Sequence, residues 1–357
     1  GVRQNTAGLP GIVSSVLTWE TVESWNVGVD FGLFDNRLTG SFDYYQRYTY
    51  DMVGPAPTLP GILGASAPKI NNADMKSYGW EMELSWRDRI EDFNYGVRFT
   101  LADGQRKVLK YPNESGDIYS WYNNKLDGTI WGYTTVGIAQ TQEEMNAHLA
   151  NNKPNWGSNW GAGDIMYADL NGEVTSGSKT LNDHGDLKII GNSYARYNFG
   201  FTVDGSWRGL DFSIFLQGTM KRDYWLDGPY FWGASGDEWQ SACFTEHLDY
   251  WTPEHTNAYY PKPYFGNIKK NQEVQSGYLQ NAAYLRVKNV QVGYTLPKSW
   301  TKKAAMESVR FYVSGDNLLT WTGISSIFDP ETLGGDWGPG KLYPLQRTLS
   351  VGVNVNF

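Results

Sequence analysis

Two groups of side chains have types and spacing suited to chemistry. In Asp169-Leu-Asn-Gly-Glu173, oxygen-bearing side chains recur at every second residue, on Asp169, Asn171 and Glu173. A Ca²⁺-binding loop begins this way. The rest departs from the EF-hand pattern: Val174 replaces its glycine and Thr180 its bidentate glutamate. Asp183 or Asp186 supplies a later carboxylate if the 164–186 loop bends back. The plainer alternative is an Asx-turn in an exposed loop. The second group is aromatic: Trp225, Tyr230, Trp232, Trp239 and Trp251 crowd a single loop. Their faces suit stacking on sugar rings or peptide side chains, with the indole N–H and phenol O–H keeping polar partners. The same rings can instead hold the loop together or pack on a partner protein.

Other reactive residue types form no site. His247 and His255 flank Leu248–Glu254 at a spacing that fits no zinc motif, and with His148 and His184 they make no HExxH. The single Cys243 excludes an intramolecular disulfide framework and a Cys-based zinc site. No nucleophile elbow, catalytic acid pair or phosphate loop is present, so no catalytic residue is assigned and the chain is read as a non-enzyme. A net charge of −8, without a basic stripe, argues against a nucleic-acid surface.

The elements that must position these residues are strands. Aromatics make up 15% of the 357 residues, with 40 glycines, a mix that favours strands and turns. No apolar run is long enough for a transmembrane helix. The mean hydropathy of −0.50 does not decide against a membrane, because only alternate residues of a barrel strand face lipid. Period-two patterns predict strands carrying Trp25–Leu33, Leu38–Met52, Tyr78–Trp86, Phe93–Leu101, Tyr197–Trp207, Leu210–Met220, Tyr284–Leu296, Val309–Trp321 and Leu345–Phe357. The apolar phase of the Tyr284 strand slips at Asn289, which predicts a bulge. Thr141–Leu149 predicts a short capped helix. Inward polar residues such as Asn198, Asp204, Asp211, Ser213 and Gln217 would face a lumen or a plug.

The connections alternate between short and long. The long ones cover about 53–74, 110–192, 222–282 and 323–343. Outer-membrane up-and-down barrels place short turns on the periplasmic side and long loops outside. The fold class expected is therefore all-β, an antiparallel transmembrane barrel with the C-terminal Phe357 in the periplasm. Trp25, Tyr50, Trp86, Trp207 and Trp321 would form interfacial belts. An odd count of about nine strands, where bacterial barrels have even counts, suggests the C-terminal portion of a larger barrel. The free edge of the last strand would then be open here or closed by another chain.

Several stretches resemble the SusC/RagA family of TonB-dependent transporters. They are Trp19–Phe31, Asn36–Tyr45, Gly163–Gly172, Leu248–Glu254, Tyr284–Pro297, Ser314–Trp321, Asp329-Pro-Glu331 and the Phe357 terminus. They span nearly the whole chain in family order. The resemblance implies a barrel of roughly 22 strands around an N-terminal plug. It implies import of an oligosaccharide or peptide across the outer membrane of Bacteroidetes, driven by TonB through a region absent from this sequence, with a SusD-like surface lipoprotein as lid. Two other classes compete. One is a soluble or surface glycan-binding β-sandwich. The other is a β-class glycoside hydrolase, which needs a carboxylate pair about 5–10 Å apart.

Overall fold

The computed structural model describes residues 14, 17–56, 62, 67–172, 174–233, 243–264, 269–334 and 338–357. The main strands are β1 (Thr21–Leu33), β2 (Leu38–Gly54), β3 (Ile70–Ile90) and β4 (Phe93–Lys110). After the short strands β5 (Thr129–Gly132), β6 (Thr135–Ile138), β7 (Ile165–Tyr167) and β8 (Lys188–Asn192) come β9 (Arg196–Trp207) and β10 (Leu210–Lys221). The two-residue β11 (Asp223–Tyr224) precedes β12 (Gln280–Thr295), β13 (Ser308–Gly323) and β14 (Thr348–Asn356). One antiparallel sheet runs in the order β1-β2-β3-β4-β9-β10-β12-β13-β14, with β11 added beside β12. All the strands expected from periodicity are present and neighbours in sequence pair in space. The sheet is open: β1 and β14 are its two edges and do not pair.

The register aligns apolar residues into rows that cross the sheet. Val29 is level with Phe42, Met82, Leu101 and Phe199. Phe31 is level with Gly40, Leu84, Phe99, Phe201, Leu216, Val287 and Leu319. Leu33 is level with Leu38, Trp86, Val97, Val203, Ile214 and Val290. Because the side-chain period is two, a slip of one residue anywhere would break every row. The apolar face is uncovered: Val351 is 83% exposed and Trp321 54%. From Phe93 to Leu101 the apolar stretch runs ~26 Å along the strand, or ~20 Å in height at a tilt of ~40°. The other face is polar and laced with ion pairs, including Arg98–Glu83 at 2.6 Å and Arg310–Asp211 at 2.5 Å.

The turns and the bulge have clear local causes. Between β9 and β10, Arg208 (φ 46) and Gly209 (φ 89) form a two-residue link, the positive φ values that match strand twist. The β12 register shifts against β10, where the adjacent Phe215 and Leu216 pair with Asn289 and Val287, with Lys288 as the extra residue. Three expectations need correction. The loop placed at about 53–74 is shorter, because β3 already begins at Ile70; the link left at 87–92 between the strands expected at Tyr78–Trp86 and Phe93–Leu101 shrinks to Glu91–Asp92; and the last strand begins at Thr348 rather than Leu345. In Ile70–Ser77 both faces carry polar residues, so no alternation marks the strand although the backbone ladder continues.

The long connections fold as well. Ile118, Tyr133, Ile165, Tyr167, Val174, Leu187, Leu226, Phe231, Trp232, Tyr260, Tyr278, Ile324, Phe328 and Leu333 share one buried cluster. They come from the 111–195, 222–279 and 324–347 connections, which thus form a packed module at one end of the sheet. The predicted helix is α1 (Gln142–Leu149), with the Thr141 hydroxyl accepting the Glu144 N–H at 3.1 Å. The short α2 (Pro229–Trp232), a 3₁₀ turn at Thr245–Leu248 and α3 (Lys269–Gln272) add further helical turns to the module.

Candidate functional site in the loop module

Two of the resembling motifs meet in space. The Gly163–Gly172 stretch enters β7, and the Leu248–Glu254 stretch packs against it. Gly163 has φ +89, and a Cβ there would lie 2.5 Å from the Trp251 ring. Only glycine meets both demands. Main-chain bonds fasten the contact: the Gly163 N–H donates to the Ala139 carbonyl and the Lys262 N–H to the Gly163 carbonyl, each at 2.8 Å. The Trp251 N–H donates to the Tyr260 carbonyl at 3.0 Å, and the Trp251 indole N–H to Gln140 Oε1 at 3.2 Å.

A buried ion pair lies under this junction. Lys270 Nζ is 2.7 Å from Asp164 Oδ2, and neither side chain has any exposed surface. Asp164 also accepts the Gly161 N–H at 2.7 Å and the Asn271 side-chain amide at 2.9 Å. Lys270 donates to the Asn159 carbonyl at 2.8 Å. Its ammonium sits 4.0 Å from the Tyr264 ring centroid and 5.4 Å from that of Trp160. A buried charge is tolerated only with this degree of partnering. Burial, reinforced by the Asp164 charge, pushes the Tyr264 hydroxyl pKa well above its ordinary value.

Between the two motifs is a cavity of about 650 Å³ lined by Trp160, Tyr250, Trp251, Lys262, Tyr264 and Gln142 among others. Its volume falls in the ~300–1,000 Å³ range of small-ligand sites. Rigid rings supply the walls, and side-chain amides and one ammonium supply the polar groups.

The aromatic residues singled out in the sequence have different placements. Trp232 (5% exposed) and Trp251 (4%) are buried, and Trp225 and Tyr230 pack half-buried on the module's core. Trp232 rests 4.9 Å from Tyr278 and 6.0 Å from Trp225. Trp251 lines the cavity, whereas Trp239 lies outside the described residues. Periodicity carries no information on Trp160 and Tyr264, which come from other parts of the loops. The available signal for them was the pair of resembling motifs, whose convergence builds the cavity.

In the 169–173 stretch, Asp169 Oδ1 accepts the backbone N–H of Asn171 at 2.8 Å and that of Gly172 at 2.5 Å. That is an Asx-turn. Glu173 lies outside the described residues. Asp186, fully buried, accepts the N–H groups of Leu170 at 2.5 Å and Thr175 at 2.8 Å, and Asp183 accepts from Ser178. Among the described residues, no group of three or more His, Cys, Asp or Glu is placed to hold a metal ion. His247 bonds within the module, to the Phe244 N–H and the Tyr230 carbonyl, each at 3.0 Å. His255 faces Asp249 at 2.8 Å.

A third pairing ties two further motifs together. Arg286 on β12, 3% exposed, reaches Asp329 and Glu331 at 2.8 Å each, and Lys288 reaches Glu331 at 2.9 Å. The bulge brings Lys288 into this cluster. Together they anchor the Asp329-Pro-Glu331 segment of the last loop onto the polar face of the sheet.

Comparison with known proteins agrees with this architecture. The family model for TonB dependent receptor-like β-barrels matches residues 3–318. TonB-dependent receptor P3 of Formosa agariphila is 29% identical, over 99% of this chain and 36% of that protein. TonB-dependent receptor SusC of Bacteroides thetaiotaomicron is 24% identical, over 98% of this chain and 33% of that one. Among solved structures, the RagAB peptide transporter shares the fold at a TM-score of 0.71 and 22% identity, covering 96% of this chain and 36% of that chain. The chain thus spans about a third of the length of the curated relatives it matches. The open sheet, its crossing apolar rows and the match along most of its length establish that this chain belongs to the TonB dependent receptor-like β-barrel family.

Proposed function

We propose that this chain forms wall and mouth of an outer-membrane, TonB-dependent importer of the SusC/RagA type, taking up an oligosaccharide or peptide with a SusD-like surface lipoprotein as partner. The observation that carries this reading is the uncovered apolar face. Soluble monomers rarely expose apolar patches beyond a few hundred Å², whereas here the apolar rows cross the sheet from strand to strand. Lipid is the medium that suits such a face, and the polar opposite face suits a lumen. The open β1 and β14 edges pair with further strands of the same barrel in this reading. The loop module stands outside the cell, where it meets the substrate and the lipoprotein, and Phe357 stands in the periplasm.

Sandwich and hydrolase readings are less well supported. A sandwich needs a second sheet over the apolar face, and the described residues contain none; the two other sheets each have two short strands within the loops. The experiment is fractionation of cells expressing the full-length protein. It should band with the outer membrane, shift on SDS gels when boiled, and bring a lipid-modified surface protein through affinity purification in detergent. Recovery as a folded monomer in the soluble fraction would overturn the reading.

A further inference from the structure

The cavity beside Trp251 carries charge of one sign. Among the described residues no carboxylate lines it, although acids outnumber bases in the chain by 38 to 30. The one charged lining residue among them is Lys262, exposed at the rim, with its ammonium 5.5 Å from the Tyr264 ring centroid. Among the described residues Lys262 has no ion-pair partner. The neighbouring Lys270 charge is taken up by Asp164, so Lys262 supplies the local field.

The walls are rigid. Lys270 holds Trp160 and Tyr264 through their faces, and Trp251 is locked against Gly163. Rings fixed in advance lose little freedom on binding, which leaves more of the contact energy as affinity. The main-chain N–H groups of Trp251, Lys262 and Thr252 all donate to carbonyls within the module. These positions therefore offer an extended peptide no N–H to pair with. Recognition falls to ring faces, the Gln142 amide oxygen (its nitrogen donates to Asn146 and to the Trp160 carbonyl), the Asn159 amide and the Lys262 ammonium. That set matches a pyranose ring with hydroxyls and an anionic substituent.

We propose that this cavity binds an acidic sugar residue, its ring face against Trp160 and Tyr264 and its carboxylate or sulfate at Lys262. The proposal rests on the importer reading for how the sugar arrives, but binding itself is separable. It is tested by calorimetric titration of the full-length protein in detergent with tetragalacturonate, a sulfated carrageenan tetrasaccharide, neutral cellotetraose and a tetraglutamate peptide. At least one acidic tetrasaccharide should bind at least about tenfold more tightly than cellotetraose, and the two acidic arms separate carboxylate from sulfate. The preference should vanish in Lys262→Gln, a rim substitution that leaves the buried pair intact, and Trp160→Ala should weaken binding of the same sugar. Equal binding of neutral and acidic sugars, preference for the peptide, or binding of none of the four would overturn the proposal. If the protein still bands with the outer membrane when the sugars fail, the importer reading stands and the cavity assignment alone falls.

Discussion

At the scale of single residues, the Asp164–Lys270 pair governs the candidate site. It is fully buried and joins the 156–164 segment to α3, which are far apart in sequence. Removing one partner strands the other charge in an apolar setting, a loss of about 3–5 kcal/mol. Lys270→Met should therefore loosen the whole junction, whereas a surface change such as Lys262→Gln should leave it intact. Hydrogen exchange at the Ile165–Tyr167 amides measures this: Lys270→Met should expose them, with the main ladder of β9 and β10 unchanged. Unaltered protection would mean that the aromatic packing holds the junction without the ion pair. Asp164 was visible in the sequence as part of a resembling motif. Lys270 was not, because nothing local marks which lysine will be buried. The aromatics were visible as a cluster, but composition does not say which way a ring points. Trp232 turned inward because a buried ring gains apolar contact while Phe231 and Tyr260 supply edge-to-face partners, and Trp251 because Gly163 leaves room for its ring.

At the scale of elements, strands were legible wherever one face is apolar and the other polar. They were lost where both faces are polar, as at the start of β3, and boundaries there shifted by several residues. The sheet also depends on glycines whose need is not apparent from periodicity. Tyr45 on β2 lies across Gly79 on β3 and Gly104 on β4. A Cβ at Gly104 would meet the Tyr45 hydroxyl at 2.9 Å and no other atom that closely. A Cβ at Gly79 would also meet the backbone carbonyl oxygen of Asp103 at 2.4 Å. The two sites should thus respond differently to a second change. Each Gly→Ala alone should cost about 1–3 kcal/mol by overpacking. Adding Tyr45→Phe should restore most of the loss at Gly104, because the hydroxyl is the obstacle, and little of it at Gly79, because the backbone does not move aside. The temperature at which the folded band disappears on SDS gels reads both double variants. Equal rescue at the two sites would show that Tyr45 alone sets the fit.

At the scale of the whole molecule, the alternation of short and long connections was the most informative feature of the sequence, because a closed up-and-down sheet must sort its links to opposite ends. The structure keeps that sorting: the links after β1, β3, β9 and β12 lie at one end, and the loop module lies at the other. The shared core of the module was not legible, since its partners come from three separate connections with no common period. Orientation in the membrane follows from the proposed function and can be tested with the chain's own thiol. Cys243 is exposed and belongs to the connection between β11 and β12, on the loop-module side. A membrane-impermeant maleimide should label it on intact cells. In a Cys243→Ala background, Asp35→Cys places the thiol in the Phe34–Arg37 turn at the opposite end, and labelling should then require a permeabilised outer membrane. The reverse pattern would put Phe357 outside and invert the chain, and with it the claim that the Trp251 cavity meets substrate before the barrel does.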